Sequence, residues 1–206
     1  MARRLLPVAT RWAMAPHGHK FDPSHRRRLL DPERARYLPA REVLGRFLVK
    51  EGIAAADLGC GPGYFTLPIA EIVGPGGRVY AVDTEPSMLD DLRERLKARP
   101  ELPVEVLRSS EDTIPLPAQS VDFVLLACVL HELDGPGTLR EAARILRPGG
   151  ALGVVDWRKI RQDIGPPYAH RLSPHQVDAA LRRGGFTPGE PFEAGPYHYG
   201  LVATPM

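Results

Sequence analysis

Three glycines at alternate positions, an acid just ahead of them and a second acid further along are the residues whose types and spacing point to chemistry. They lie in Ala54-Ala55-Ala56-Asp57-Leu58-Gly59-Cys60-Gly61-Pro62-Gly63 and at Asp83. Glycines without a Cβ let a backbone turn tightly and come close to a ligand. Asp57 adds a fixed hydrogen-bond acceptor beside that turn, and Asp83, closing the next apolar run, can accept two hydrogen bonds from the hydroxyls of an adenosine ribose. Nicotinamide binders and other nucleoside binders share these features. The spacing bears on the choice: a dinucleotide fingerprint reads GxGxxG, whereas Gly59, Gly61 and Gly63 read GxGxG, with Tyr64 where the last glycine belongs. An acid so close to the turn disfavours a pyrophosphate and attracts a cation in a poorly solvated cleft, so the expected ligand carries positive charge.

Such a turn needs a strand before it and a helix after it, and the flanking residues supply both. Residues 53–58 read as a buried strand and 64–73 as a helix, in which Pro68 is awkward unless it falls in the first turns. Strand and helix then alternate, as a doubly wound sheet requires. Residues 78–83, 104–107, 121–127 and 151–155 are predicted strands, with helices beginning after Thr84-Glu85-Pro86 and running over 139–146. Met88, Leu89, Leu92 and Leu96 form the apolar stripe of the former. Ser173 and Gln176 have capping-box spacing around Pro174, and Phe186 and residues 197–203 supply final strands. Upstream, Asp31 is expected to cap a short helix with Pro32 in its first turn, and Val43, Leu44, Phe47 and Leu48 to share one face of a helix over 41–50.

With 206 residues, 43% hydrophobic and 25% charged, the chain suits one domain with a substantial core. Residues 1–36 hold nine Lys/Arg against three Asp/Glu and the remainder nets −4, so the positive charge belongs to an N-terminal arm. It reads as a solvated tail or lid, mobile before Phe21, and no interleaved basic and aromatic pattern argues for RNA. Cys60 and Cys128 are the only cysteines and lack metal-site spacing, which suggests neither a disulfide framework nor structural zinc and fits a reducing cytoplasm. No apolar run approaches the length of a transmembrane segment.

In sequence order, Asp57-Leu58-Gly59-Cys60-Gly61-Pro62-Gly63, Asp83, Ile114-Pro115-Leu116-Pro117 to Val121-Asp122, Val129-Leu130-His131 and Arg144-Ile145-Leu146-Arg147-Pro148-Gly149-Gly150 resemble the landmarks of class I S-adenosylmethionine-dependent methyltransferases. The flavour is that of the group including ubiquinone and menaquinone methyltransferases and other small-molecule methyltransferases, and the likeness spans about residues 43–202. It implies an α/β, doubly wound, mostly parallel seven-stranded Rossmann-like methyltransferase sheet over 39–206, with residues 1–38 as basic arm and helical lid.

The resemblance also implies S-adenosyl-L-methionine as cofactor. Asp57, Gly59, Cys60, Gly61 and Gly63 would border its methionine and ribose parts, and Asp83 with Thr84 its ribose hydroxyls. Ser110, Glu111 and Asp112 fall where that family meets adenine, with Ser110 at a position commonly Asp; Cys128 falls near the methionine portion and equally suits a small buried thiol. Transfer is an in-line displacement on the sulfonium methyl, for which the protein aligns the acceptor and excludes water. His131 is the first candidate for a base and His19 the second; the plain alternatives are a pocket-shaping histidine and a loop histidine. Tyr37, Trp157, Tyr168 and His170 could shape the acceptor site. The expected partner is a small-molecule methyl acceptor, with no metal and nucleic acid disfavoured. Alternatives are an RNA or protein methyltransferase, a non-catalytic adenosyl-ligand sensor and, last, a nicotinamide oxidoreductase.

Overall fold

The structure is a computed structural model that describes residues 20–47 and 49–206. After a 3₁₀ helix at Pro23–Leu30, the chain forms α1 (Arg34–Tyr37), α2 (Ala40–Leu44), β1 (Ala54–Leu58), α3 (Thr66–Val73), β2 (Arg78–Asp83), α4 (Pro86–Lys97), β3 (Val104–Arg108), β4 (Val121–Ala127), α5 (Gly137–Ile145) and β5 (Leu146–Trp157). It ends with α6 (Pro174–Arg183), β6 (Phe186–Pro188), β7 (Phe192–Glu193) and β8 (His198–Pro205).

The strands form one sheet in the order β3-β2-β1-β4-β5-β8-β6, with β7 also on β8. Strands β1 to β5 pair in parallel, and β8 runs antiparallel to β5. Winding reverses between β1 and β4, the crevice where open parallel sheets bind ligands outside their carboxyl ends. The sheet therefore has eight strands rather than seven. The excess is β7, which at two residues is too short to show alternation; it and the expected strand at Phe186, β6, occupy different stretches of the same β8 edge.

Burial on both faces explains the nearly continuous apolar runs of the central strands. One face is covered through Leu139, Ile145, Val177 and Leu181 of α5 and α6, the other through Val43, Leu44, Ile69 and Val73 of α2 and α3. Pro68 is the third residue of α3, where an amide has no intrahelical acceptor to lose. The capping box at Ser173 forms with both of its hydrogen bonds. By contrast, β5 begins at Leu146, the last residue of the expected helix, and runs through Pro148-Gly149-Gly150, with a register shift against β4 at Val121/Phe123.

The N-terminal side departs further from expectation. Asp31 ends the 3₁₀ helix and accepts from the Glu33 amide at 2.9 Å, so it braces the turn ahead of α1, whose own cap position is Glu33. The helix expected over 41–50 closes after Leu44, although Val43, Leu44 and Phe47 are buried as its pattern required; Leu48 lies outside the described residues.

Phe123 is 1% exposed in the middle of β4, its ring 5.7 Å from that of Phe47. Phe123→Ala should cost about 3–5 kcal/mol, read as a lower urea midpoint at unchanged slope.

Candidate functional site

The turn after β1 depends on left-handed backbone: Gly59 has φ 71° and Gly61 φ 54°. A side chain at Gly59 would also collide with Val129, so space and conformation both demand glycine there. The Gly59 and Cys60 amides donate to the Val82 carbonyl at 2.8 and 3.1 Å. Next along, the Gly61 amide donates to Asp83 Oδ2 at 2.8 Å, while the other Asp83 oxygen accepts from the Glu85 amide at 2.9 Å, at the start of α4. Burial raises the Asp83 pKa against the lowering by these amides.

Asp57 is 1% exposed and accepts from Thr66 Oγ1 at 2.6 Å. Burial pushes its pKa up to about 7; the Thr66 hydroxyl and Arg34 oppose this and Asp83 adds to it. Cys60 is buried beside both acids, and burial holds its thiol well above the ordinary range.

Across the crevice, β4 ends at a corner that sequence reasoning only partly anticipated. Cys128 adopts φ 60°, unusual without glycine, and its amide donates to Val155 O at 2.7 Å. Burial pushes its thiol up to about 12. Beyond it, both the His131 amide (3.0 Å) and its Nδ1 (2.7 Å) meet the Asp156 carboxylate at the end of β5. The His131 side chain is 4% exposed, with Nε2 3.7 Å from Glu132 Oε1. Burial lowers the His131 pKa, but Asp156 and Glu132 outweigh it and the net shift is upward. Asp156 was the legible omission: like Asp57 and Asp83, it is an acid closing an apolar strand.

Of the other residues of this edge, Arg171 and His198 gave no local signal, whereas Tyr37, Trp157, Tyr168 and His170 were expected around the acceptor. Arg171 is 2% exposed and donates to the carbonyls of Ile164, Ile160 and Pro166 at 2.7, 2.8 and 2.9 Å, holding the loop after β5 in place. Tyr37, Trp157 and His198 cluster, with Trp157 and His198 centroids 4.0 Å apart and Tyr37 stacked on His198 at 6.0 Å. His198 is fully buried, and among the described residues neither ring nitrogen finds a hydrogen-bond partner; the Tyr37 backbone lies near without reaching bonding geometry, and burial drives the pKa down to about 3. Tyr168 stands apart, 43% exposed, with Lys159 and Arg161 each 5.2 Å from its ring centre; His170 ends the same short 3₁₀ turn.

The N-terminal segment lies over the glycine turn. Leu29 occupies the space beside Gly61, and Arg26, expected on a solvated face, pairs with Asp91 of α4 at 2.6 Å. Lys20 pairs with Glu111 on the loop after β3. In that loop Ser110 bridges to Thr113, the Glu111 carbonyl accepts from Thr138 at 2.7 Å, and Asp112 packs on Gly137 at the start of α5. A cavity of about 430 Å³ opens there, lined by Glu111, Asp112, Asp134 and Arg140 among others. Thr84 follows Asp83, and its backbone lies near enough to that carboxylate to lower its pKa. Thus Asp57, Gly59, Cys60, Gly61, Gly63, Asp83, Cys128 and His131 gather along adjoining strand ends, with Ser110, Glu111 and Asp112 toward α5. His19 lies outside the described residues.

Two buried histidines give opposite pH signatures. The folded pKa of His131 is raised, so its contribution to stability is complete below the ordinary 6.5 and is lost as pH rises through the folded value. His198 stays neutral when folded, so the unfolded state takes up the extra proton and stability rises with pH between about 3 and 6.5. Urea unfolding from pH 5 to 8.5 should show the wild-type advantage over His131→Gln shrinking above neutrality, and that over His198→Phe growing between pH 5 and 7.

A profile described as a methyltransferase domain matches residues 56–154. The crystal structure of a SAM dependent methyltransferase from Aquifex aeolicus has a TM-score of 0.87 and 36% identity to this chain, covering 91% of it and 100% of that chain. A demethylmenaquinone methyltransferase from Geobacillus stearothermophilus is 33% identical over 111 residues, 53% of this chain and 47% of that protein. A 37.1 kDa protein of transposon TN4556 from Streptomyces fradiae is 36% identical over 139 residues, 66% of this chain and 40% of that protein. The chain therefore spans about half or less of the length of these two relatives, at 47% and 40%. With the whole Aquifex chain matched at 36% identity on the same fold, this protein belongs to the class I S-adenosylmethionine-dependent methyltransferases.

Proposed function

We propose that the chain transfers a methyl group from S-adenosyl-L-methionine to a small-molecule acceptor at the carboxyl edge of β1, β2, β4 and β5. The observation that carries this reading is the pairing of the Gly61 amide with Asp83 at 2.8 Å, which places a close-approach turn and a ribose-type acceptor in one unit. The residues fit the cofactor. Each Asp83 oxygen keeps acceptor capacity beyond its backbone partner, for ribose hydroxyls. Asp57, buried beside a second carboxylate, gains from a nearby cation. When bound, the cofactor supplies an activated methyl on a sulfonium for in-line displacement. We assign the glycine turn and Cys60 to its methionyl and ribose side, Cys128 to the methionyl end, and Ser110, Glu111 and Asp112 to the adenine side.

The chain's own residues then orient and enclose. The segment carrying Leu29 and Tyr37 roofs the crevice and excludes water. The aromatic wall of Tyr37, Trp157 and His198 borders the acceptor. His131 is the candidate base: Asp156 fixes Nδ1, leaving Nε2 to take a proton from an acceptor hydroxyl or acidic carbon. The likeness to demethylmenaquinone methyltransferases supports a small-molecule acceptor. Two free thiols suit a cytoplasmic setting, and among the described residues no helix is long and apolar enough to cross a membrane.

The direct test is a labelled-methyl transfer screen against cell metabolites and RNA with product identification. A labelled metabolite is expected; labelled RNA would replace the small-molecule reading, and binding without transfer would favour a sensor. In calorimetry, Asp83→Ala should weaken S-adenosylmethionine by roughly 100-fold, the loss of two charge-assisted hydrogen bonds. Affinity of the wild type should also rise as pH passes through about 7, where Asp57 ionises. Asp57→Asn should flatten that profile.

A further inference from the structure

Arg34 is 7% exposed, at the start of α1. Buried guanidinium groups normally face a carboxylate, because an unmatched charge away from water is costly. Here Nη1 donates to the Leu29 carbonyl at 2.9 Å, Nη2 reaches only the Cys128 sulfur at 3.9 Å, and the remaining face lies 4.3 Å over the Tyr64 ring. Among the described residues it forms no ion pair, whereas exposed Arg36, two positions on, pairs with Glu33 at 2.8 Å. Asp57 feels its charge through space but is bonded to Thr66 instead.

Its neighbours locate this unmatched charge. Tyr64 directly follows the glycine turn, Cys128 directly follows β4, and Leu29 covers Gly61. The guanidinium thus stands at the β1–β4 crevice, on the opposite side of β1 from Asp83. A ligand whose ribose sits on Asp83 and which crosses the end of β1 would bring its far end to Arg34. A planar fork of N–H donors with unused capacity matches a carboxylate, by bidentate hydrogen bonding.

We propose that Arg34 binds the α-carboxylate at the amino-acid end of the methyl donor, an assignment that rests on the cofactor reading above. The α-carboxylate supplies the counter-charge that the protein withholds, and its capture ties α1 and the segment before it to the occupied site. An acceptor could also offer a carboxylate, so the test omits any acceptor.

Calorimetry on the full chain compares S-adenosylhomocysteine with 5′-methylthioadenosine, which keeps the nucleoside and thioether but lacks the amino-acid end. Arg34→Met should weaken S-adenosylhomocysteine roughly 10- to 100-fold while changing methylthioadenosine less than about twofold, and Arg34→Lys should restore part of the loss. Because both ligands are measured on one protein, partial unfolding would lower both alike and cannot mimic the difference. Equal losses for the two ligands, or no loss for either, would overturn the assignment. A wild type that binds neither would remove the cofactor reading and Arg34's role with it. If Asp83→Ala leaves both affinities intact while Arg34→Met still discriminates, the ribose assignment falls and Arg34 stands.

Discussion

The hydrogen bond from the Gly61 amide to Asp83 is the contact on which the rest of the edge depends. It joins the end of β1 to the end of β2, and the second Asp83 oxygen extends the link to the start of α4 through Glu85. A buried carboxylate left without donors would lose several kilocalories of hydration, so the turn must present its amides inward. That is possible only with the left-handed backbone of Gly59 and Gly61. One constraint therefore sets the glycine spacing, the direction of the Asp83 oxygens and the beginning of α4 before any ligand arrives, and such pre-organisation lowers the cost of binding.

Asp156 performs the matching task on the other side of the winding reversal. Its carboxylate receives the His131 amide, the His131 ring and its own neighbour's amide at Trp157, so the loop after β4 is fastened to the end of β5. Strands β1, β2 and β5 each place an acid at the carboxyl edge, Asp57 within it and Asp83 and Asp156 close to its end. In a parallel sheet the loops at that edge are where amides become available to hold such acids. Arg171 continues the pattern outward: a buried cation satisfied by backbone carbonyls replaces what regular structure would otherwise supply to the loop after β5.

What could be read from the sequence followed the range of the forces involved. Strands β1, β2, β4 and β5 and helices α4 to α6 declare themselves by apolar periodicity, and the Ser173 capping box by chemistry confined to one turn. Pro68 became intelligible once α3 was seen to start at Thr66. The 3₁₀ helix at Pro23–Leu30 has no buried residue and hence no apolar pattern to betray it. Arg34 meets Cys128 across 94 positions, which no local spacing encodes. Tyr37 and His198 gave the same difficulty, since their stacking depends on β8 returning beside β5. Asp156 is different. The rule that singled out Asp57 and Asp83 applies to it unchanged, and pairing that rule with His131 would have found the link.

The charges of the crevice are managed unequally, and the reason lies in what each group can do with a proton. Burial raises the cost of ionising Asp57 and the neighbouring Asp83 adds to it, and Asp57 relieves that cost by titrating near neutrality, uncharged when alone and charged when a cation is at hand. A guanidinium has no such escape, because that group keeps its proton in proteins. The positive side of the crevice must therefore be lined with neutral groups that tolerate a cation: a carbonyl at Leu29, a thiol at Cys128 held protonated by burial, and the face of Tyr64. Placing a carboxylate beside Arg34 permanently would have removed the cost, and also any selectivity for a ligand that brings its own. The crevice thus holds both a titratable acid and an unneutralised guanidinium, the two charges that the proposed zwitterionic ligand would meet.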